Sequence, residues 1–280
     1  MRAFTRSKPD PPRARRRFGQ HFLADSRAVH RIVDALAPAA DEPVLEIGPG
    51  QGALTSRLIG AASRIAAVEV DRGLAAALRQ RFDPEKLLLF ERDVLSLDLA
   101  DVAPALSCPP GAPLAVVGNL PYNISKPVAM KLVAERESVS RAVLMFQREV
   151  ADRLTAGFGT RAYGPLTVLA GRAYRVTALF DLSPAAFRPR PAVTSTVTRW
   201  ERRPPDDLPP ALEPALRACL AACFAHRRQT LLNNVRAALP GGVDEARALL
   251  ASAGLDPGAR AEAVPPEGFL ILASFWPRGD

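Results

Sequence analysis

A mostly parallel α/β sheet followed by a small all-helical segment is the fold this sequence predicts, and three observations predict it. From Val44 onward, short apolar runs alternate with amphipathic stretches of helical period, the pattern of a parallel sheet covered on both faces. Beyond residue 210 the period is helical only. The length of 280 residues suits two domains at about 100–200 residues each.

The elements follow in order. A strand over Pro43–Gly48 runs into a helix near Gln51–Ile59, and a strand over Arg64–Val70 into a helix near Arg72–Phe82. A third strand, Leu87–Asp93, leads to a Pro-rich loop, Pro104–Pro113. Leu114–Asn119 feeds a helix near Pro127–Glu135, and Arg141–Phe146 feeds one around Glu149–Ala156. Tyr174–Leu182 and Val193–Trp200 read as strands of an edge hairpin, separated by the Pro-rich Phe187–Pro191. Residues 201–214 open with Glu-Arg-Arg-Pro-Pro-Asp-Asp and read as a linker. Helices are expected over Ala215–Leu239, Val243–Ala253 and Pro266–Phe275. The predicted organisation is a basic, flexible segment over 1–17, a sheet domain over 18–200, the linker over 201–214 and a helical domain over 215–280.

Composition bounds the function. With 48% hydrophobic and 24% charged residues, the chain is neither disordered nor fibrous. No apolar run approaches the roughly 18 residues of a membrane span, so no membrane partner is expected. Three Cys in 280 residues exclude a disulfide scaffold and point to a reducing compartment, the cytoplasm. The basic, Pro-rich start has no apolar core for a secretory signal, although an Arg-rich start also suits an organelle transit peptide. The net charge of +8 is uneven: residues 1–20 carry +6 and residues 215–237 carry +4, leaving the remainder at −2. Two basic foci on a near-neutral body suit a polyanion, most simply nucleic acid. Arg15, Arg16 and Arg17, with Arg227 and Arg228, are the candidate contacts; the competing reading is a solvated tail and a solvated helix face.

Val44-Leu45-Glu46-Ile47-Gly48-Pro49-Gly50-Gln51-Gly52 is a strand running into a Gly-rich turn and a helix. Such a turn lets the backbone approach a ligand and presents helix-terminal N–H groups to it. The G-x-G-x-x-A spacing at Gly48, Gly50 and Ala53 also suits a dinucleotide. Glu69 ends the second strand, where a carboxylate can accept both ribose hydroxyls, and Asp93 ends the third, where it can accept from an adenine amino group. Glu46, Gly48–Gly52, Glu69 and Asp93 together resemble the class I S-adenosylmethionine-dependent methyltransferases, with a dehydrogenase still open.

Asn119-Leu120-Pro121-Tyr122 follows the fourth strand and resembles the motif of methyltransferases that act on exocyclic amino groups. The chemistry explains the residue types. An adenine N6 lone pair is delocalised into the ring and is a poor nucleophile. Acceptance of its two hydrogens by the Asn119 side-chain oxygen and the Leu120 carbonyl aims the lone pair at the methyl, and alignment supplies most of the acceleration. Pro121 presets the backbone, and Tyr122 offers a ring for the extracted base. A plain Pro-containing turn with a core Tyr is the competing reading.

Arg17-Phe18-Gly19-Gln20-His21-Phe22-Leu23, Phe187–Ser195 and Phe224–Leu231 extend the likeness. Together these motifs resemble the ribosomal RNA adenine N6-dimethyltransferases over residues 13–275, and the tail resembles the KsgA-type small-subunit enzymes. The resemblance implies a Rossmann-like class I methyltransferase sheet with a small C-terminal helical domain. It implies S-adenosylmethionine as cofactor, held at His21, Leu23, Gly48, Gly50, Glu69, Asp93 and Asn119. It also implies catalysis by Asn119, Leu120, Pro121 and Tyr122, with Phe187 helping Tyr122 to sandwich the base. The implied reaction is dimethylation of two adjacent adenines near the 3′ end of 16S rRNA, in the 30S particle or its precursor, by a monomer. His21 stands where the family pattern most often has Asn, and Ala192 and Thr194 replace the Lys and Asp expected in that segment.

Cys219, Cys223 and His226 fall at i, i+4 and i+7, but no fourth ligand accompanies them and no metal is expected. The alternatives are the related large-subunit (23S) dimethyltransferase, a DNA adenine methyltransferase, and a non-catalytic assembly or RNA-binding factor of the same fold. The tail over Phe224–Leu231 argues against the first two and the intact tetrapeptide against the third.

Overall fold

In the computed structural model of the chain, residues 20–204 and 209–277 are described. The basic segment over 1–17, with Arg15, Arg16 and Arg17, lies outside them. In chain order the elements are β1 (Phe22–Leu23), α1 (Ser26–Leu36), β2 (Val44–Ile47), α2 (Ala53–Leu58), β3 (Ile65–Val68), α3 (Arg72–Arg81) and β4 (Leu87–Phe90). Then come α4 (Val102–Ala105), β5 (Leu114–Asn119), α5 (Ser125–Ala134), β6 (Val139–Gln147), α6 (Arg148–Leu154) and α7 (Pro165–Ala173). The rest are β7 (Tyr174–Leu182), β8 (Phe187–Arg188), β9 (Ser195–Arg202), α8 (Glu213–Cys223), α9 (Leu231–Arg236), α10 (Gly242–Ser252) and α11 (Pro266–Phe275).

Seven strands form one sheet in the order β4-β3-β2-β5-β6-β9-β7. The five strands from β4 to β6 pair in parallel, and β9 runs antiparallel to β6. This is the Rossmann-like class I methyltransferase arrangement. Strands β2 and β3 are buried throughout, as apolar runs flanked by neighbours on both sides must be. The chain steps outward from β2 through β3 to β4, then crosses back to β5 on the other side. The order therefore reverses at β2/β5, where ligands of open α/β sheets bind beyond the carboxyl ends of the strands.

The described chain clusters into two compact units. One takes residues up to Arg148 with Ala178–Glu201, and the other takes Glu149–Thr177 with the described residues from Arg202 on. This division differs from a single cut near residue 200. In the second unit α7 packs on α8, and Arg172 pairs with Glu213. In the first unit α1 lays Ala28, Val29, Ile32, Val33 and Leu36 on the sheet core, and the Asp25 carboxylate caps its N-terminus.

The expected helix over Ala215–Leu239 is two helices, α8 and α9. The break is made by side chains. Asn234 donates through Nδ2 to the carbonyls of Cys223 and His226 at 2.8 and 3.1 Å, and its Oδ1 accepts from the His226 N–H at 3.1 Å. The Thr230 hydroxyl caps α9. His226 thus lies outside α8, and the helix face at i, i+4 and i+7 with Cys219 and Cys223 does not exist. Both thiols are buried, which pushes their pKa values up.

Candidate active site

A cavity of about 340 Å³ opens beyond the carboxyl ends of β2, β3, β4 and β5, within the sheet unit. After β2 the backbone turns through Gly48 and Gly50 at φ of +67° and +57°. A Cβ on Gly50 would stand 2.9 Å from Phe22 Cδ1, so the absence of a side chain lets β1 close over the loop. A Cβ on Gly118 would meet the Ile47 carbonyl at 2.8 Å, so glycine there lets β5 come up against β2.

Three acids border the cavity, each with a different environment. Glu69 is 5% exposed. Its Oε2 accepts from the Gly50 N–H at 3.1 Å and its Oε1 from the Asp71 N–H at 2.9 Å. Burial nevertheless raises its pKa above the ordinary value. Glu46, 1% exposed in the middle of the sheet, accepts from the Thr55 hydroxyl at 2.6 Å. Burial pushes its pKa up to about 7. Asp93 is exposed, and its Oδ1 caps the 3-10 turn at Val94–Ser96 through the Leu95 N–H. The second carboxylate oxygen is outside that cap.

The segment after β5 forms the opposite wall. Asn119 donates through Nδ2 to the His21 carbonyl at 2.7 Å. That bond turns the amide so that Oδ1 is the acceptor left for a ligand. The Tyr122 hydroxyl is hydrogen-bonded to the Ser195 hydroxyl at 2.9 Å, and the Ser125 hydroxyl donates to the Tyr122 carbonyl at 3.0 Å. The His21 ring lies 5.5 Å from the Tyr122 ring, centroid to centroid, with its Nδ1 bonded to the Pro189 carbonyl at 2.8 Å. One ring nitrogen of this imidazole is thus taken by a protein partner.

All the residues expected to hold the cofactor line this one cavity: His21, Leu23, Gly48, Gly50, Glu69, Asp93 and Asn119, together with Leu120, Pro121 and Tyr122. Phe187 is not among them. Its ring is 1% exposed and packed in the core, with its backbone paired to Leu23. A ring buried on both faces cannot sandwich a base in this arrangement. Arg227 is also placed differently from expectation, in the loop between α8 and α9. Its Nη2 donates to the carbonyls of Arg161 and Tyr163 at 2.6 and 2.9 Å, which ties that loop to the segment before α7. Arg228, next in the loop, is exposed.

The cavity also holds residues that sequence reasoning missed. Val70 is 47% exposed beside Glu69, an apolar face open to a planar ligand. Its signal was an apolar residue one step past the strand-terminal acid. Phe22 and Arg92 border the cavity too, and only the fold brings them there.

Comparisons with known proteins identify the family. The model of the family described as ribosomal RNA adenine dimethylase matches residues 12–276. A ribosomal RNA small subunit methyltransferase A of Aromatoleum aromaticum is 40% identical over 263 residues, covering 94% of each chain. The protein of the same name from Bordetella petrii is 44% identical over 261 residues, covering 92% of this chain and 94% of its own. Among solved structures, a dimethyladenosine transferase from Plasmodium falciparum shares the fold with a TM-score of 0.72 at 23% identity, covering 90% of this chain and 96% of its own. The 23S rRNA methyltransferase ErmE superposes with a TM-score of 0.65 at 27% identity, covering 91% of this chain and 99% of its own. With the family matched across nearly the whole chain, the chain belongs to the ribosomal RNA adenine dimethylases.

Proposed function

We propose that the chain dimethylates N6 of two adjacent adenines near the 3′ end of 16S rRNA, in the 30S particle or its precursor, using S-adenosylmethionine. The small-subunit specificity rests on the relatives at 40% and 44% identity, both named for that subunit. The 23S enzyme stands at 27%. The reading makes the protein a cytoplasmic monomer that acts in small-subunit biogenesis. It gives RNA binding to Arg15, Arg16 and Arg17 and to the segment over 215–280, there to Arg228. Among the described residues, no helix is long and apolar enough to cross a membrane.

The residues suit the cofactor. Gly48 and Gly50, both left-handed, bring bare backbone to the cavity on either side of Pro49. Glu69 keeps lone pairs beyond its backbone bonds for ribose hydroxyls. Asp93 offers its uncapped oxygen to an adenine amino group, and Val70 an apolar face to the ring. When bound, S-adenosylmethionine supplies a methyl on a sulfonium, so the enzyme needs no nucleophile of its own.

The single observation that carries the mechanism is the Asn119–His21 hydrogen bond. With Nδ2 committed to the His21 carbonyl, Oδ1 accepts one N6 hydrogen, and the Leu120 carbonyl accepts the other. In the first transfer, holding both hydrogens turns the N6 lone pair out of the ring and toward the methyl; the methylated nitrogen sheds one of them as a proton, and the single N–H that remains is held in the second transfer. Tyr122 stacks on the extracted base. The test is Asn119→Ala on undermethylated 30S particles with labelled S-adenosylmethionine. Loss of one preorganised acceptor is expected to cut the single-turnover rate by about 10²–10³. A parental rate at saturating cofactor and RNA removes the tetrapeptide from the mechanism. With 50S-derived rRNA assayed alongside, label in 23S rather than 16S rRNA moves the substrate to the other subunit.

A further inference from the structure

A base stacked on Tyr122 reacts only when the ring is held at one place and in one plane. A free tyrosine ring swings about χ1 and turns about χ2, whose profile is broad. Two contacts of unequal kind meet the ring here. Its hydroxyl is bonded at 2.9 Å to Ser195, the first residue of β9. Its face lies against the His21 ring at 5.5 Å and an interplanar angle of 33°, and His21 is itself held by the Pro189 carbonyl. Ser195 is 1% exposed and pairs with Gln147 at the end of β6, so its hydroxyl sits on the rigid sheet. The bond therefore reaches from the loop after β5 to β9, beyond the intervening strand β6.

We propose that Ser195 is a positioning residue for the reaction: its hydroxyl anchors the Tyr122 hydroxyl and so fixes the long axis of the ring on which the target adenine stacks. The anchor fixes where the ring points. The only large motion it leaves is rotation about that axis, which the His21 ring obstructs from one side. The family motif ending Val193-Thr194-Ser195 thereby acquires a task in base capture, although Ser195 does not itself line the cavity. This inference rests on the reading of Asn119–Tyr122 as the catalytic segment.

The experiment is a double-mutant cycle of Ser195→Ala and Tyr122→Phe. Single-turnover methylation of undermethylated 30S particles is read at saturating S-adenosylmethionine, with RNA affinity, cofactor affinity and melting temperature measured alongside. Each single variant should lose about three- to tenfold in rate, the size of one net hydrogen bond. The double variant should lose no more than either single, because both remove the same bond. RNA affinity, dominated by phosphate contacts, should stay parental. A parental rate for Ser195→Ala overturns the proposal, as does a double variant in which the two losses multiply. Should Ser195→Ala fail to fold, Tyr122→Phe decides alone: a parental rate overturns the proposal and a three- to tenfold loss upholds it. Asn119→Ala is run beside the cycle. If it is parental, the catalytic segment itself is misassigned; if it is slow while both hydroxyl variants are parental, only the role of Ser195 falls.

Discussion

Glu46 stands in the centre of the sheet, between Ala67 of β3 and Val117 of β5, with the Thr55 hydroxyl as its hydrogen-bond donor. Its pKa rises from an ordinary 4.5 to about 7, with burial the largest cause and the Thr55 bond acting in the opposite direction. At 1.36 kcal/mol per pH unit, that difference corresponds to roughly 3 kcal/mol, and no solvent discount applies to a side chain at 1% exposure. Because the folded-state pKa is the higher one, the folded protein binds more protons than the unfolded chain between the two values. Stability contributed by this residue is therefore intact below pH 4.5, declines as pH rises toward 7, and stays low above it. Glu46→Gln retains an acceptor for Thr55 and cannot ionise. The variant should match the parental protein near pH 5 and exceed it by up to about 3 kcal/mol at pH 8. Urea unfolding followed by the buried Trp200, in a Trp276→Phe background, measures the difference in the sheet unit. A gap that does not change between pH 5 and 8, or a parental protein that is the more stable at pH 8, refutes the reasoning.

Three further outcomes are expected. Glu69→Ala removes the acceptor proposed for the ribose hydroxyls and should weaken S-adenosylmethionine at least about tenfold by calorimetry, since hydrogen bonds to charged groups contribute roughly 1.5–3 kcal/mol each; unchanged affinity in a folded variant withdraws that role. Arg228→Ala should flatten the salt dependence of RNA binding by about 1 unit of slope, whereas Arg227→Ala should chiefly lower the melting temperature, because its guanidinium is bonded to the Arg161 and Tyr163 carbonyls. Equal salt slopes for Arg228→Ala and the parental protein would exclude Arg228 as a phosphate contact.

Much of the sheet and most of the cavity were legible in the sequence. Strands β2 to β5 are short apolar runs bounded by turn residues, a local signal that needs no knowledge of partners. A parallel order then puts Gly48, Glu69, Asp93 and Asn119 at neighbouring strand ends, so residues far apart in sequence converge by topology alone. Other features depended on partners that local pattern does not name. Nothing between Phe224 and Thr230 is Gly or Pro, and the helical period runs on through it; the break is imposed by the Asn234 side chain bonding across the turn. An aromatic in a motif looks the same whether it faces a ligand or the core, and the pairing of β8 with β1 is what turned Phe187 inward. Arg227 reads as a solvated cation until two carbonyls from before α7 are brought to it. Residues 149–177 follow the sheet strands in sequence, yet they belong to the helical unit because α7 finds its apolar partner in α8. Periodicity and composition set which elements form and what chemistry they carry; long-range packing and hydrogen bonding decided which of those side chains remain available to a ligand.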